Sequence, residues 1–438
     1  MPGYGGKVLP MAPLAPVEVI ERRRRGEPID TESVTAFMRA WLDGVAGDAQ
    51  MAAWCMAAAL EPARLEEVDA LARVIVASGE RLDLSSFGPT GDCQSTGAVG
   101  DIAPLVALPL AAAVGVRVAD IGGHSVGCLG GMLDKVAAIP GMRTDLSLAE
   151  FVACLRTAGC VVAAPGPARV SAAPRFDALR DATGTGSGVA PTLATLMARA
   201  IAVGAGCICL SVPVGRGAAI ADADEAGAAV ELAGLIAAPW GRAVRAEVSD
   251  ADAPGGRAVG TGLEVREAAA VLRGEGDRTT AERAVALAGA MAEGAGVAAD
   301  GDGPERARRA LAQGEALAAA ERWVAAQGGD PGVWTTPELL AEARVQRPVC
   351  FPGDGRVRDI DPRAVGEAAR WAGAGRLHAA QVIDPAAGVE LLVRAGDPVG
   401  AGDPVAIIHS SDAWLAERAE ELLLGGLVLD GGTTGPDA

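Results

Sequence analysis

From Leu84 to about residue 345, short runs rich in β-branched residues and cysteine alternate with apolar helical stretches, and glycine marks each change. Strand, helix, strand repetition of this kind implies a mostly parallel sheet covered by helices. The strand candidates are 116–121, 160–164 and 207–212, with helices at 102–113, 148–157 and 191–203 and later ones at 264–272 and 306–312. The 59 glycines and 27 prolines are spread along the chain, as many short βα and αβ turns require. Only 3% of residues are aromatic against 50% hydrophobic, so the core must be built from Ala, Val, Leu and Ile.

The flanks have a different texture. Residues 1–14 read as a flexible start, followed by a helix at 16–25 closed by Gly26. Asp30 or Thr31 is positioned to cap a second helix, in which Val34, Phe37, Met38 and Trp41 keep one apolar face and after which Gly44 stops the chain. Helices at 50–60 and 65–78 complete an all-helical opening. Beyond residue 345 a helix at 363–374 precedes strands at 388–392 and 405–409, set around the turns Gly396-Asp397-Pro398 and Gly402-Asp403-Pro404, and 426–438 reads as a loose tail. A chain of 438 residues is long enough for two or three domains. The expected division is a helical lobe at 12–80, with helices from 172–203 added, an α/β lobe at 84–171 and 204–345, and a small β-rich α+β module at 346–438.

Charge and cysteine content narrow the function. The formal net charge is −18, and the only dense basic run, Arg22 to Arg25, ends a short helix whose dipole it complements. A nucleic-acid polymer is therefore not an expected partner. The eight cysteines form no C-x-x-C pair, and the chain has only three histidines. These features suit reduced, buried thiols in a cytoplasmic protein rather than a zinc site. No signal peptide is expected, and no apolar run is long and uncharged enough to span a bilayer.

Two glycine loops carry the chemistry. Gln94-Ser95-Thr96-Gly97-Ala98-Val99-Gly100-Asp101 runs into the helix at 102–113, an arrangement that can present free backbone N–H groups and a helix N-terminus to an anion. Glycine turns before helices are common in α/β folds, so this pattern alone also fits an ordinary turn. The second loop, Gly122-Gly123-His124-Ser125-Val126-Gly127-Cys128-Leu129-Gly130-Gly131, follows the strand at 116–121. Ligands in open α/β sheets bind beyond the carboxyl ends of the strands, so the two loops would border one pocket.

Several blocks resemble the thymidine and pyrimidine-nucleoside phosphorylase family. They are Ser95-Thr96-Gly97-x-Val99-Gly100-Asp101, Gly130-Gly131-x-Leu133-Asp134-Lys135 with Ile139-Pro140-Gly141, and Ala178-Leu179-Arg180-Asp181-x-Thr183. Gly256-Arg257-Ala258-Val259-Gly260 with Leu263-Glu264-Val265 and Glu267 is a further match, as are Gly388, Gly396-Asp397-Pro398-Val399 and Ile408-His409. Order and spacing hold over nearly the whole chain. The resemblance implies a helical lobe and an α/β lobe with the substrate cleft between them, and a homodimer. It also implies a pentosyltransferase that cleaves pyrimidine nucleosides with phosphate to give free base and pentose 1-phosphate.

Carried over residue by residue, the base side is partly kept. Arg180 falls on the family's arginine for the pyrimidine carbonyl, Thr195 on a serine, and Arg199 on a lysine. Thr195 and Arg199 are four residues apart, on one helix face. A structural reading, with Arg180 paired to Asp181 or another carboxylate and Arg199 solvated, stands beside the binding one. The phosphate side is remodelled. The family's lysine and histidine are Cys93 and Gln94, its serine and threonine further on are Gly122 and Met132, and a serine found in some members is Pro104. Ser95 is the one phosphate side chain retained. His124 in place of an arginine, Arg216 in place of a serine, and Gln94 are candidate compensations.

The acceptor loop expected from this comparison is Ser95, Thr96, Gly97, Gly100, Gly122, His124 and Arg216. Gln94, Arg180, Thr195 and Arg199 face the base, and Arg180, Arg199 and Ser95 carry catalysis. No cofactor is required, while phosphate or a phosphorylated sugar serves as co-substrate. Potassium at Glu264 and the backbone near Gly100 is what the resemblance offers as a metal. The expected partner is a nucleoside or nucleotide. Two rival readings are a non-catalytic nucleoside-binding scaffold and a phosphate-independent hydrolase, for which no general base other than Asp101 appears in the first loop.

Overall fold

The computed structural model describes residues 13–430, apart from 62–63, 125–126, 128–130, 167–169, 187, 352 and 379–380. Most of the expected flexible start, half of the second glycine loop and the last eight residues of the chain lie outside the described residues.

The opening is all-helical: Pro16–Arg24, Thr31–Leu42, Asp48–Leu60 and Leu65–Ala77. The Asp30 side chain accepts from Ser33 N and starts the second helix, and Gly44 at φ +76° takes the left-handed turn after it. Val34, Phe37, Met38 and Trp41 are all buried, each contributing about 1.5–3 kcal/mol of transfer free energy. Two later helices, Ala172–Ala182 and Val189–Val203, join this lobe through a shared core.

The α/β lobe is built on a parallel sheet. We label its strands β1 (Thr90–Ser95), β2 (Arg117–Ile121), β3 (Cys160–Ala163), β4 (Cys207–Val214) and β5 (Ala243–Asp250), and their order is β3-β2-β1-β4-β5. β1 is central, in register with β2 (Gly91 opposite Val118) and with β4 (Gln94 opposite Leu210). One face packs on the helical lobe; the other packs on Ala103–Ala113, Arg278–Gly294 and Glu315–Ala326. Gly204 shows why a glycine ends the Val189–Val203 helix: at φ +77° a Cβ would lie 2.2 Å from Leu82 O.

The C-terminal module contains a three-stranded sheet, a four-stranded antiparallel sheet and the helices Pro362–Ala369 and Ala413–Gly425. Ala258–Val259, which belongs in sequence to the α/β lobe, is the edge strand of the four-stranded sheet.

Two expectations are corrected. The segment read as the start of the first glycine loop is the strand β1. Residues 427–429 are not a loose tail: Leu427–Leu429 pairs antiparallel with Gly355–Ile360, burying Leu427 and Leu429.

Candidate functional site

A cleft lies at the carboxyl ends of β1 and β2, where the helical lobe meets the α/β lobe. One wall comes from Ala172–Ala182 and Val189–Val203, which bring Asp177, Arg180, Thr195 and Arg199 to it, and the opposite wall includes Ser95, Thr96, Gly97 and Lys135. Both guanidinium groups thus share one cavity with Ser95.

The two arginines are buried and ordered by partners. Arg180 Nη2 donates to Thr192 Oγ1 at 2.6 Å and to Gly186 O at 2.7 Å, and Nη1 lies 3.5 Å from Asp177 Oδ1. Its Nε has no acceptor among the described residues. Burial pulls the Arg180 guanidinium below its ordinary value, and the charge of Asp177 opposes that. Arg199 Nη1 donates to Asp177 Oδ2 at 2.9 Å, and its Nε donates to Gln94 Oε1 at 3.4 Å. Gly123 makes room for this arginine, since a Cβ there would lie 3.1 Å from the guanidinium atoms. Thr195 Oγ1 donates to Thr192 O at 2.9 Å, which leaves its lone pairs available to the cleft.

Gln94 projects from β1 between two carboxyl groups. Its Nε2 donates to Asp120 Oδ1 at 2.9 Å and lies 3.2 Å from each oxygen of Asp92. Donating to the acids and accepting from Arg199 commits its amide. Asp92 and Asp120 are both buried, and both lie within hydrogen-bonding distance of the one Gln94 amide. Burial, and then the charge of Asp120, holds Asp92 well above the carboxylate range. Burial pushes Asp120 up to about 7 against the pull of Arg199, Asp92 and Gln94. Asp120 lines the cleft.

On the opposite wall Ser95 Oγ donates to Asp101 Oδ2 at 2.6 Å and accepts from Gly97 N at 3.0 Å. Thr96 N donates to Ser211 O at 3.0 Å and Val99 N to Gly217 O at 2.9 Å, so part of the loop backbone is already committed. Lys135, one of two lysines in the chain, is buried there, 2.8 Å from Glu264 Oε2 and donating to Asp101 O. Burial pulls its pKa down, but Glu264 and Asp101 outweigh that and leave it raised. Cys93, where the family has lysine, is buried, and its thiol is pushed well up by a hydrogen bond with Cys209 and by burial. Gly122 cannot take a side chain without displacing Leu133, whose Cδ2 would be 3.0 Å from the added Cβ.

The remaining candidates divide. His124 lines the cleft mouth, with Nδ1 2.8 Å from Asp134 Oδ1 and a side chain 56% exposed. Gly100 is not among the lining residues; it packs against Ala258 and Gly255. Arg216 lies outside the cleft as well. It forks onto Asp359 at 2.7 and 2.8 Å and reaches Asp252 O, tying the α/β lobe to the C-terminal module. Glu264 does not fit a potassium site: Lys135 supplies the cation, and Oε1 accepts from Gly260 N at 3.2 Å. No group of three or more His, Cys, Asp or Glu able to hold a metal occurs among the described residues. Sequence reasoning missed Asp92, Asp120, Asp177 and the position of Lys135. Only Asp177 had a local signal, three residues before Arg180.

Helical bundle, α/β lobe and cleft together define a glycosyl-transferring protein. Residues 17–79 match the helical bundle domain of the glycosyl transferase family, 88–317 match that family's a/b domain, and 356–429 match the pyrimidine nucleoside phosphorylase C-terminal domain. The chain belongs to the pyrimidine-nucleoside phosphorylase family and is a phosphorylase-like pentosyltransferase by descent. It is 34% identical over 411 residues to the pyrimidine-nucleoside phosphorylase of Geobacillus stearothermophilus, covering 93% of this chain and 94% of that one. With the enzyme of the same name from Staphylococcus epidermidis it shares 33% identity, over 90% and 92% of the two chains. Anthranilate phosphoribosyltransferase from Thermus thermophilus shares the fold, with a TM-score of 0.56 and 20% identity over 70% of this chain and 99% of that one. No helix among the described residues is long and apolar enough to cross a membrane.

Proposed function

We propose that this protein breaks or forms the N-glycosidic bond of a pyrimidine-like nucleoside or nucleotide, with an acceptor site unlike that of its relatives. The observation that carries the proposal is the shared cleft: Arg180, Thr195 and Arg199 face the same space as Ser95, Thr96 and Gly97. Guanidinium groups and a hydroxyl there stabilise negative charge gathering on the carbonyls of a departing base. The opposite wall holds phosphate or a phosphorylated sugar close to the anomeric carbon. It does so with Ser95, the loop backbone and the nearby Lys135 ammonium in place of the missing lysine, serine and threonine. The protein works without a cofactor or a bound potassium ion, as a homodimer in the cytoplasm.

The test is incubation with uridine, thymidine and cytidine, with and without phosphate, followed by chromatography for free base. Phosphate-dependent release is the expected result, and release in phosphate-free buffer would replace it with hydrolysis. A second reading, a non-catalytic nucleoside binder, is favoured by one observation: Cys93, at the family's lysine position, is buried and stands directly opposite Cys209 in the sheet register. No release together with a raised melting temperature in nucleoside would establish that reading.

A further inference from the structure

Asp92 and Asp120 stand on adjacent strands, β1 and β2, at the floor of the cleft, and neither belongs to the glycine loops that marked the site in the sequence. Both carboxyls are buried, and both accept from the single amide of Gln94. Crowding two carboxyls in a low dielectric disfavours ionising both, so the pair holds protons into the neutral range. Of the two, Asp120 alone lines the cleft. Asp177 is the other carboxyl near the base wall, but its oxygens face Arg180 and Arg199. His124 is at the mouth, on Asp134.

We propose that Asp120 is the general acid of this cleft, passing its proton to the departing heterocycle while Asp92 stays protonated behind it. This rests on the reading that the chain cleaves a nucleoside. As the C1′–N bond breaks, its electron pair passes to the base. The proton of Asp120 moves to the base carbonyl oxygen or ring nitrogen where that charge gathers. An oxygen of hydrogen phosphate forms the new C1′–O bond, and the proton that phosphate releases returns through solvent to the carboxyl pair. Atoms and charge balance, and the products are neutral base and pentose 1-phosphate.

The groups around Asp120 suit this task. Arg199 on the Val189–Val203 helix and Asp92 on β1 pull against the burial that raises Asp120, and the thiols of Cys93 and Cys160 on β1 and β3 are further titratable neighbours. Poised near 7, Asp120 can both hold and release a proton at neutral pH.

The test compares uridine with a 5-nitro-substituted uridine, whose base leaves as a stabilised anion and needs no proton. Asp120→Asn, shown to be folded by circular dichroism and gel filtration, is expected to lower kcat on uridine by about 10²–10⁴-fold, but on the nitro substrate by less than about tenfold. In the unaltered protein kcat on uridine should fall as pH rises above neutrality, while kcat on the nitro substrate stays level. That comparison decides the matter even if the variant does not fold. Equal losses on both substrates, or pH profiles of the same shape for both, would overturn the proposal and leave nucleoside cleavage standing. Absence of base release from either substrate by the unaltered protein would instead defeat nucleoside cleavage, and the proton transfer with it.

Discussion

Replacing Lys135 by methionine tests how the acceptor wall is held together. The Lys135 ammonium and the Glu264 carboxylate are 2.8 Å apart, each side chain only 3% exposed. With an effective dielectric of about 20 their attraction is about 6 kcal/mol, from which the desolvation of both ions must be subtracted. Lys135→Met keeps the length of the side chain but strands the carboxylate, whose one other partner is the 3.2 Å bond from Gly260 N. Stranding a buried partner costs about 3–5 kcal/mol. Glu264→Gln should cost less, about 1–3 kcal/mol, because Lys135 keeps its bond to Asp101 O. The double variant Lys135→Met with Glu264→Gln should recover at least about 1 kcal/mol relative to the sum of the two single losses. Urea unfolding followed by far-ultraviolet circular dichroism measures all four corners of the cycle. The unaltered protein should show the same midpoint in KCl and NaCl of equal ionic strength. Additive losses within about 0.5 kcal/mol, or a midpoint specifically raised by potassium, would refute the ion-pair account.

Asp120 also predicts a pH dependence of stability. Its folded value is raised to about 7, so the folded state keeps a proton that the unfolded chain gives up, and folding weakens as pH rises from the ordinary carboxylate range to about 7, then levels off. Asp120→Asn should remove this slope, worth about 4 kcal/mol at most, and parallel urea midpoints from pH 5 to pH 8 in the two proteins would contradict it. Cys93→Lys with Gln94→His should raise phosphate-dependent kcat/KM by about tenfold or more, whereas Gly122→Ser alone should give no gain because its Cβ meets Leu133. Arg216→Ala should leave base release unchanged, since the side chain is outside the cleft, and lower stability by no more than about 1 kcal/mol because the pair with Asp359 is half-exposed.

The sequence was legible where local pattern decides structure. The buried face of Thr31–Leu42 follows helical spacing, and the apolar run of β4 reads as a central strand. β1 was hidden because its residues, Thr-Gly-Asp-Cys-Gln-Ser, are polar, whereas central parallel strands are usually apolar. Its polar side chains find partners elsewhere in the chain: Gln94 on β2 and the Val189–Val203 helix, Thr90 at Gly206 N and Ser95 at Asp101. Arg180, Thr195 and Arg199 were singled out through resemblance, but the coupling of the two arginines through Asp177 was not, because Arg199 lies 22 residues away from that carboxylate. Arg216 misled for the same reason: its carboxylate partner is 143 residues distant. Leu427–Leu429 is too short to announce itself and depends on Gly355–Ile360 for its pairing.

Ala258–Val259 gives the α/β lobe a strand inside its neighbour's sheet. Two bodies stitched by main-chain hydrogen bonds swing together, so any breathing of the molecule is confined to the seam along the helical lobe. Arg180 and Arg199 ride on the far side of that seam and Ser95 on the near side. The distance between those two sets of side chains is therefore what such a swing would alter.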